Sequence, residues 1–163
     1  HVSYIDALLI SAASPRLIRF VMEADYADFP LVRYVLRRAG VIPISAHRAS
    51  TIRQAFNEVE QALKAGELVC IFPEGKLTDD GELGPFLRGS NMILQRIPVP
   101  VIPMAIKGLW GSYFSRYRGR ACKGLPSKLR PNIELEVGEA VAPSKAMANV
   151  LREKVISLRG QWY

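Results

Sequence analysis

A run of five apolar residues, from Leu68 to Phe72, constrains the fold of this 163-residue chain more than any other feature. It follows residues 52–64, where apolar side chains recur at helical spacing. A short, continuously apolar run after a helix is typical of a buried strand in a parallel sheet. Along the rest of the chain, other apolar runs also alternate with segments of helical periodicity. The sequence therefore predicts an α/β domain with a mainly parallel sheet that helices flank on both faces.

The remaining elements follow from the same periodicities. Strands are predicted over residues 17–22, 41–44, 101–106 and 132–137, and helices over residues 4–13, 29–38, 52–64, 86–95 and 144–158. Thr51 and Gln54 fit a capping box at the start of the helix over 52–64, and Gly66 fits its stop. Parallel sheets bind ligands at the carboxyl ends of their strands, so we expect the functional site at the loop after Phe72.

Length and composition limit the organisation of the chain. Residues 1–163 are predicted to form one domain, because a domain typically takes about 100–200 residues and neither a repeat nor a linker divides this sequence. The longest apolar stretch, residues 99–106, falls well short of the roughly 20 residues that cross a bilayer. Two cysteines are too few for a disulfide framework, which favours a reducing compartment. Since the chain begins at His1 rather than at a methionine, we expect it to be part of a longer protein.

His1 and Asp6 are the first candidates for chemistry. Five residues apart, they would point about 140° away from each other on a continuous helix. They meet only if His1 lies in a turn before the helix and Asp6 lies in its first turn. Asp6 would then orient the imidazole and support the imidazolium that forms when His1 abstracts a proton. The spacing alone also fits a terminal histidine next to an aspartate that caps a helix.

Phe72, Pro73, Glu74 and Gly75 close the apolar run. Proline ends the ladder of a strand and glycine permits a close approach of the backbone to a ligand, so Glu74 is placed where such sheets bind substrates. An exposed turn with a surface Glu74–Lys76 pair is the alternative. Residues 77–84, with three acids and two glycines, are predicted to form a mobile loop near the site.

Arg48 follows the strand predicted over residues 41–44. Its guanidinium is suited to bidentate contacts with a phosphate, although a solvated surface arginine fits the sequence as well. His47 is interpreted as a surface histidine. A copper site made by the amine of His1 and by His47 is typical of β-sandwiches rather than of α/β domains, and Ser3 lacks the elbow of a serine nucleophile. With no paired-cysteine zinc spacing either, we expect no metal.

One stretch accounts for the whole net charge of +7. Residues 107–130 contain seven basic residues and no acidic one, and the rest of the chain is balanced. Trp110, Tyr113, Phe114 and Tyr117 are interleaved with these cations. Cations and aromatic side chains both favour an anionic membrane surface. The same composition suits stacking and phosphate contacts with nucleic acid, so the charge alone leaves both partners open.

Four ordered blocks together resemble the glycerolipid acyltransferase family, of the lysophosphatidic acid acyltransferase type. The blocks are the His-x4-Asp of His1 and Asp6, residues 40–48, the Phe-Pro-Glu-Gly of residues 72–75, and residues 99–103. In the second block Ala46 stands where the family usually has its arginine, and Arg48 follows two residues later. Residues 76–78 and 107–116 are similar to one branch, the bacterial 2-acylglycerophosphoethanolamine acyltransferase domains.

The resemblance implies an enzyme that transfers a fatty acyl group from acyl-carrier protein or acyl-CoA to a glycerol hydroxyl of a lysophospholipid. It implies that His1 is the general base and that Asp6 orients it, without a cofactor or a metal. Phe72, Pro73, Glu74, Gly75 and Arg48 would bind the acceptor. These residues would hold its glycerophosphate head.

The resemblance also favours the membrane as the partner of residues 107–130. The protein is then expected at the cytoplasmic face of a membrane, either peripheral or anchored through segments outside this sequence, and no nucleic acid is expected to bind. The alternative from a different class is a non-catalytic basic module that binds nucleic acid.

Overall fold

The computed structural model describes residues 1–3, 5–23, 38–45, 49–117, 119 and 132–160. Within these ranges the elements are α1 (Asp6–Ala13), β1 (Ile18–Glu23), β2 (Ile42–Ile44), α2 (Ala49–Lys64), β3 (Leu68–Ile71), α3 (Gly89–Arg96), β4 (Met104–Lys107), β5 (Glu134–Val137) and α4 (Ala148–Arg159), with a 3₁₀ turn at Pro143–Lys145. The helix predicted over residues 29–38 lies outside the described residues except for its last position.

β1 is the central strand of a three-stranded parallel sheet in the order β2-β1-β3. Val21 of β1 is paired with Ile42 of β2, and Ile18 of β1 is paired with Leu68 of β3. The predicted α/β fold with a parallel sheet is therefore confirmed. β4 and β5 pair antiparallel with each other, an arrangement that the sequence analysis did not predict, because an apolar run reports burial and not strand direction.

Helices cover both faces of the parallel sheet, as expected. Successive side chains of a strand point to opposite faces, and β1 follows this rule. Ile18 and Phe20 pack with Ile10 of α1 in one buried cluster. Val21 packs on the other face against a cluster that includes Val59 of α2. The parallel sheet is thus held between α1 and α2.

The ends of α2 show one correct prediction and one wrong one. The helix begins at Ala49, so Thr51 lies inside its first turn and cannot be its cap. The hydroxyl of Thr51 instead donates to the carbonyl of Ser45, at 3.1 Å. The predicted stop at Gly66 is confirmed, since Gly66 has φ +77°, the left-handed conformation that commonly ends helices. No helix among the described residues is long and apolar enough to cross a membrane.

Candidate active site

His1 and Asp6 meet at the start of α1. Asp6 is the first residue of this helix, and His1 lies in the short segment before it. The Nδ1 atom of His1 is 2.6 Å from Oδ2 of Asp6, and the same oxygen accepts the N–H groups of Val2 (3.0 Å) and Ser3 (3.2 Å). The contact that the spacing required is therefore formed. In the tautomer whose Nδ1–H donates a hydrogen bond to Asp6, the lone pair of Nε2 is available as a base.

Asp6 is buried, with only 1% of its surface exposed. Burial raises the pKa of its carboxyl group, while the positive charge of the His1 amino group and the N–H groups of Ser3 and Val2 act in the opposite direction. Oδ1 of Asp6 has no hydrogen-bond partner among the described residues. A carboxylate that is poorly solvated gains most from a positive charge beside it, so this environment favours the imidazolium form of His1 during proton transfer.

The imidazole of His1 is also fixed by stacking. Its ring lies 4.0 Å from the ring of Phe72, with an angle of 13° between the planes. Phe72 is itself stacked on Phe20 at 6.3 Å. The carbonyl of His1 accepts the N–H of Thr78, at 2.9 Å. Phe72, the residue after β3, thus lies against His1. This contact places His1 and Asp6 at the carboxyl end of the parallel sheet, as predicted.

Glu74 is buried rather than exposed, with 7% of its side chain accessible. Its Oε1 atom lies 2.6 Å from the main-chain nitrogen of His1, and its Oε2 atom accepts the N–H of Gly84 at 3.2 Å. The alternative of a surface turn with an exposed Glu74–Lys76 pair is therefore wrong. Both carboxylate oxygens of Glu74 are used inside the protein, where they connect His1 to the loop of residues 75–84.

Pro73 and Gly75 shape the turn that carries Glu74. The N–H of Gly75 donates to the carbonyl of Phe72 (3.0 Å), and the carbonyl of Pro73 accepts the N–H of Leu87 (2.7 Å). Gly75 has φ +71°, and a Cβ atom there would lie 2.5 Å from Cδ1 of Leu87. Only glycine satisfies both constraints at this position. Arg48 and His47 lie outside the described residues.

The loop of residues 75–84 is tied to the rest of the domain. Leu77 and Thr78 are buried, and the Thr78 hydroxyl bonds with Asp80 at 2.7 Å. Arg152 of α4 donates from Nε to the carbonyl of Gly84 (3.1 Å) and from Nη2 to the carbonyl of Leu83 (2.9 Å). These contacts contradict the expectation of a mobile loop, which rested on composition alone. Sequence reasoning missed Arg152 because 69 positions separate it from Leu83 and no local pattern marks the contact.

An apolar cavity of about 470 Å³ adjoins His1. Its wall includes Cys70 and Ile71 of β3, Met104 and Ile106 of β4, and the segment that leads into β4. Burial raises the pKa of the Cys70 thiol to about 12, so this sulfur stays protonated near neutral pH and is a poor nucleophile. The sequence indicated that both segments are apolar but could not show a space between them.

Groups of three or more histidine, cysteine, aspartate or glutamate side chains able to hold a metal ion are not found in the described ranges. The site therefore consists of a histidine that is oriented by an aspartate and stacked on an aromatic ring, at the mouth of an apolar cavity. This arrangement can remove a proton from a hydroxyl group beside a bound hydrocarbon chain.

Comparison with known proteins gives one family and one fold. A family model described as Acyltransferase matches residues 1–107. The chain is 26% identical over 108 residues to the chloroplastic 1-acyl-sn-glycerol-3-phosphate acyltransferase BAT2 of Brassica napus, covering 66% of this chain and 31% of that protein. It is 25% identical over 118 residues to the human 1-acyl-sn-glycerol-3-phosphate acyltransferase beta, covering 72% of this chain and 41% of that protein.

The fold is similar to the crystal structure of PlsC, the 1-acyl-sn-glycerophosphate acyltransferase of Thermotoga maritima. The TM-score is 0.63 at 21% sequence identity, and the match covers 96% of this chain and 59% of the other. The chain is also 30% identical over 134 residues to the N-acylphosphatidylethanolamine synthase of Arabidopsis thaliana, covering 78% of this chain and 46% of that protein. It spans less than half the length of each of these three curated relatives.

Proposed function

Because this chain belongs to the glycerolipid acyltransferase family, we propose that it transfers a fatty acyl group from an acyl thioester to a glycerol hydroxyl of a lysophospholipid. The observation that carries the proposal is the 2.6 Å contact between His1 and Asp6 at the mouth of an apolar cavity. A general base and a hydrocarbon site are the two parts that this reaction requires of the protein. A nucleic-acid-binding module would not need this contact, and none of the comparisons supports such a module.

In the proposed reaction, His1 acts through Nε2. It takes the proton of the acceptor hydroxyl while that oxygen attacks the thioester carbonyl and forms the new ester carbon–oxygen bond. The tetrahedral intermediate then expels the thiolate, which takes the proton back from the imidazolium. Asp6 stabilises the imidazolium and holds the ring, and no covalent acyl-enzyme forms. General-base catalysis of this kind contributes about 10²–10⁴ in rate.

The cavity is proposed to hold the acyl chain of one substrate. Its wall is mainly apolar, with many of its side chains from β3, from β4 and from the segment leading into β4, and burying an apolar chain there contributes about 0.8 kcal/mol for each CH₂ group. Binding the chain next to His1 would also restrict the reacting groups to one region, which lowers the entropic cost of a bimolecular step. Acyl-carrier protein and acyl-CoA both fit this proposal as donors.

The acceptor head is proposed to bind at the turn of residues 72–75 and at Arg48. Gly75 lets the backbone approach a phosphate closely, and an arginine is a bidentate phosphate ligand. A peripheral position at the cytoplasmic face of a membrane is proposed as well. Tyr113 and Phe114 are 45% and 39% exposed, and the Phe114 carbonyl accepts the Ser3 hydroxyl at 3.3 Å, which puts this aromatic pair near the site.

The proposal is tested by an assay of acyl transfer with a panel of lysophospholipids and with both thioester donors. We expect the full-length protein to form a diacyl product, and His1→Ala to form it about 10²–10⁴ more slowly. Gln61→Ala, at an exposed position of α2, is the control and should keep the wild-type rate. Absence of product with every acceptor and both donors would refute the proposed function.

Membrane binding is tested separately by co-sedimentation with acidic liposomes. We expect binding that weakens as salt rises, and a loss of binding when Arg116, Arg118 and Arg120 are neutralised. DNA and RNA are added as competitors at matched charge concentration. If nucleic acid strips the protein from the liposomes while the neutralised variant still acylates membrane lipids, the membrane assignment is wrong.

A further inference from the structure

The segment of residues 109–117, the aromatic loop, reverses the usual pattern of burial. Its serines, Ser112 and Ser115, are buried, with 7% and 3% of their surface exposed. Large aromatic side chains lie at the surface instead, at Tyr113, Phe114 and Tyr117. Serine is mostly exposed in proteins, whereas phenylalanine is among the residues most often buried. Because a cluster of exposed large apolar side chains marks an interaction site, the aromatic loop is a candidate docking surface.

The exposure of these rings is built into the backbone of the aromatic loop. The hydroxyl of Ser115 donates to the carbonyl of Ser112 (2.9 Å) and accepts the N–H of Gly111 (3.1 Å). The N–H of Ser115 donates to the same carbonyl of Ser112, at 3.1 Å, which closes a β-turn. Tyr113 and Phe114 are the two central residues of this turn. Since the Ser115 side chain occupies the inside, the two rings are held on the outside.

One side of the aromatic loop borders the mouth of the site. Ser3 and Ser115 form an antiparallel bridge, and the hydroxyl of Ser3 donates to the carbonyl of Phe114 at 3.3 Å. Ser3 lies between His1 and Asp6 in the chain, and its N–H donates to Oδ2 of Asp6. The Phe114 carbonyl is a main-chain group, so its ring is not used in this contact. The exposed rings therefore lie at the surface beside the catalytic pair.

The other side of the aromatic loop borders the wall of the cavity. A Cβ atom at Gly81 would lie within 2.9 Å of three atoms of the Trp110 indole, so this ring lies directly on the Gly81 backbone. Gly81 is part of the cavity wall. Nη1 of Arg116 lies 3.0 Å from Oδ1 of Asp79, two residues before Gly81. A partner that binds the aromatic loop is therefore held at the mouth of the site and beside its cavity.

The chemistry of the aromatic loop fits the surface of an anionic bilayer. Tyrosine and tryptophan are enriched where a membrane meets water, and an arginine beside them attracts anionic head groups. The side chain of Arg116 is partly exposed, and the sequence of residues 107–130 contains no acidic residue that would repel those head groups. The acceptor of the proposed reaction is itself a bilayer lipid, so the surface around the mouth has to be one that a bilayer can cover. A protein partner on the same surface would stand between the mouth and that lipid.

We propose that the aromatic loop docks the mouth of the site on an anionic phospholipid bilayer, with the rings of Tyr113 and Phe114 inserted at the level of the head groups and Arg116 on the lipid phosphates. The proposal rests on the proposed function, because a lipid acceptor is what makes a bilayer the partner of this surface. It adds to the charge of residues 107–130 an apolar contribution that salt does not screen. It also gives the bound protein one orientation, in which the acceptor passes from the bilayer to His1.

The apolar contribution is tested by sedimentation of the full-length protein with vesicles of phosphatidylcholine and phosphatidylglycerol in equal parts. At about 1 M salt the Debye length is about 3 Å, so binding by charge is suppressed and binding by inserted rings remains. We expect Tyr113→Ser/Phe114→Ser to bind at least about tenfold more weakly than wild type at this salt concentration. Arg116→Gln should weaken binding at low salt alone. Ile156→Ser, at an apolar position of similar exposure in α4, is the matched control and should bind like wild type.

Insertion is measured directly with a tryptophan reporter and lipids whose acyl chains carry bromine, which quenches the fluorescence of rings that touch them. Phe114→Trp places the reporter in the aromatic loop. Gln61→Trp places it at an exposed position of α2, which covers the face of the parallel sheet opposite to α1. Trp110 and Trp162 are common to both proteins. We expect brominated vesicles to quench the added signal of Phe114→Trp and to leave that of Gln61→Trp unchanged.

Turnover separates docking from the chemistry of the site. With a long-chain lysophospholipid embedded in vesicles, Tyr113→Ser/Phe114→Ser should show an apparent KM about tenfold above that of wild type. With a short-chain lysophospholipid that dissolves as a monomer, its rate should equal that of wild type, because the loop contacts Ser3 through a main-chain carbonyl that the substitutions keep. Absence of product from wild type with every acceptor would refute the proposed function, while sedimentation and quenching would still decide the docking surface.

The docking surface is wrong if wild type does not bind the vesicles at high salt, if the double serine variant binds them as wild type does, or if Ile156→Ser loses as much binding. Equal quenching of the two reporters, or quenching of neither, overturns it as well. If sedimentation velocity shows a dimer for wild type and a monomer for the double variant, the surface serves a second copy of this chain and the bilayer assignment is wrong. Should the double variant fail to fold by circular dichroism, the two reporters decide the question.

Discussion

The mouth of the candidate site and its interior are built in opposite ways. At the mouth, His1 and Glu74 lie in a dense set of hydrogen bonds, and each has partners far away in sequence as well as near. The interior is an apolar cavity whose wall offers volume and a protonated thiol at Cys70. The function of the mouth therefore depends on the geometry of its hydrogen bonds, and that of the interior depends on its volume. Substitutions in the two regions should accordingly impair the protein in different ways.

The largest effect is expected at the mouth. His1→Ala removes the base, and Asp6→Asn removes the acceptor that orients it, so the rate of acyl transfer should fall by about 10²–10⁴ in each variant. Because both changes shorten or neutralise a side chain without adding volume, circular dichroism should show a folded protein. An unchanged turnover number in His1→Ala would contradict the general-base role.

The interior should respond through the length of the acyl chain. Cys70→Phe adds several carbon atoms to the wall of a cavity of about 470 Å³, so transfer of long chains should fall at least about tenfold, the equivalent of roughly two buried CH₂ groups, while short chains are still used. Cys70→Ala is the matched control and should keep the wild-type preference. Equal losses for all chain lengths in Cys70→Phe would show that the cavity does not bind the acyl chain.

A smaller effect is expected at the turn that joins the two regions. Gly75→Ala forces an L residue to φ +71° and places its Cβ 2.5 Å from Leu87, and such strain costs about 1–3 kcal/mol. We expect the free energy of unfolding to fall by about that amount in urea titrations. Gly66→Ala, with φ +77° and no atom within 4 Å of the added Cβ, carries the conformational cost alone and should lose less. An equal loss in both variants would show that contact with Leu87 adds nothing.

The same contrast explains what could be predicted from the sequence. β3 and the His1–Asp6 contact are local, the first read from five adjacent residues and the second from a spacing of five, and both were predicted. The partners of Glu74 are 73 and 10 residues away, so its burial could not be predicted without the tertiary fold. The antiparallel pairing of β4 with β5 and the cavity beside β3 also depend on packing, because a run of apolar residues does not show which strand lies next to it.

The smallest effect concerns the pH dependence of stability. It tests whether burying the charged carboxylate of Asp6 lowers the stability of the fold. Burial raises the pKa of Asp6 above its ordinary value of 3.8, so the folded protein binds a proton at Asp6 more tightly than the unfolded chain does. Stability from this group therefore increases as pH falls from neutral through the raised pKa of the folded state, and levels off below the unfolded value. Asp6→Asn cannot titrate and serves as the reference.

We accordingly expect wild type to gain stability relative to Asp6→Asn when urea titrations are carried out at pH 7, 6, 5 and 4 (about one unit apart, which spans the range above the ordinary value). The other carboxylates are common to both proteins, so their contributions cancel in the difference, and the same pair of titrations in a His1→Ala background removes the contribution of the imidazole that contacts Asp6. A difference that moves the opposite way would mean that the bonds from Val2, Ser3 and His1 hold the Asp6 carboxylate more strongly than burial penalises it. The mouth of the site would then be stabilised by its charge, rather than holding that charge at a cost to the fold.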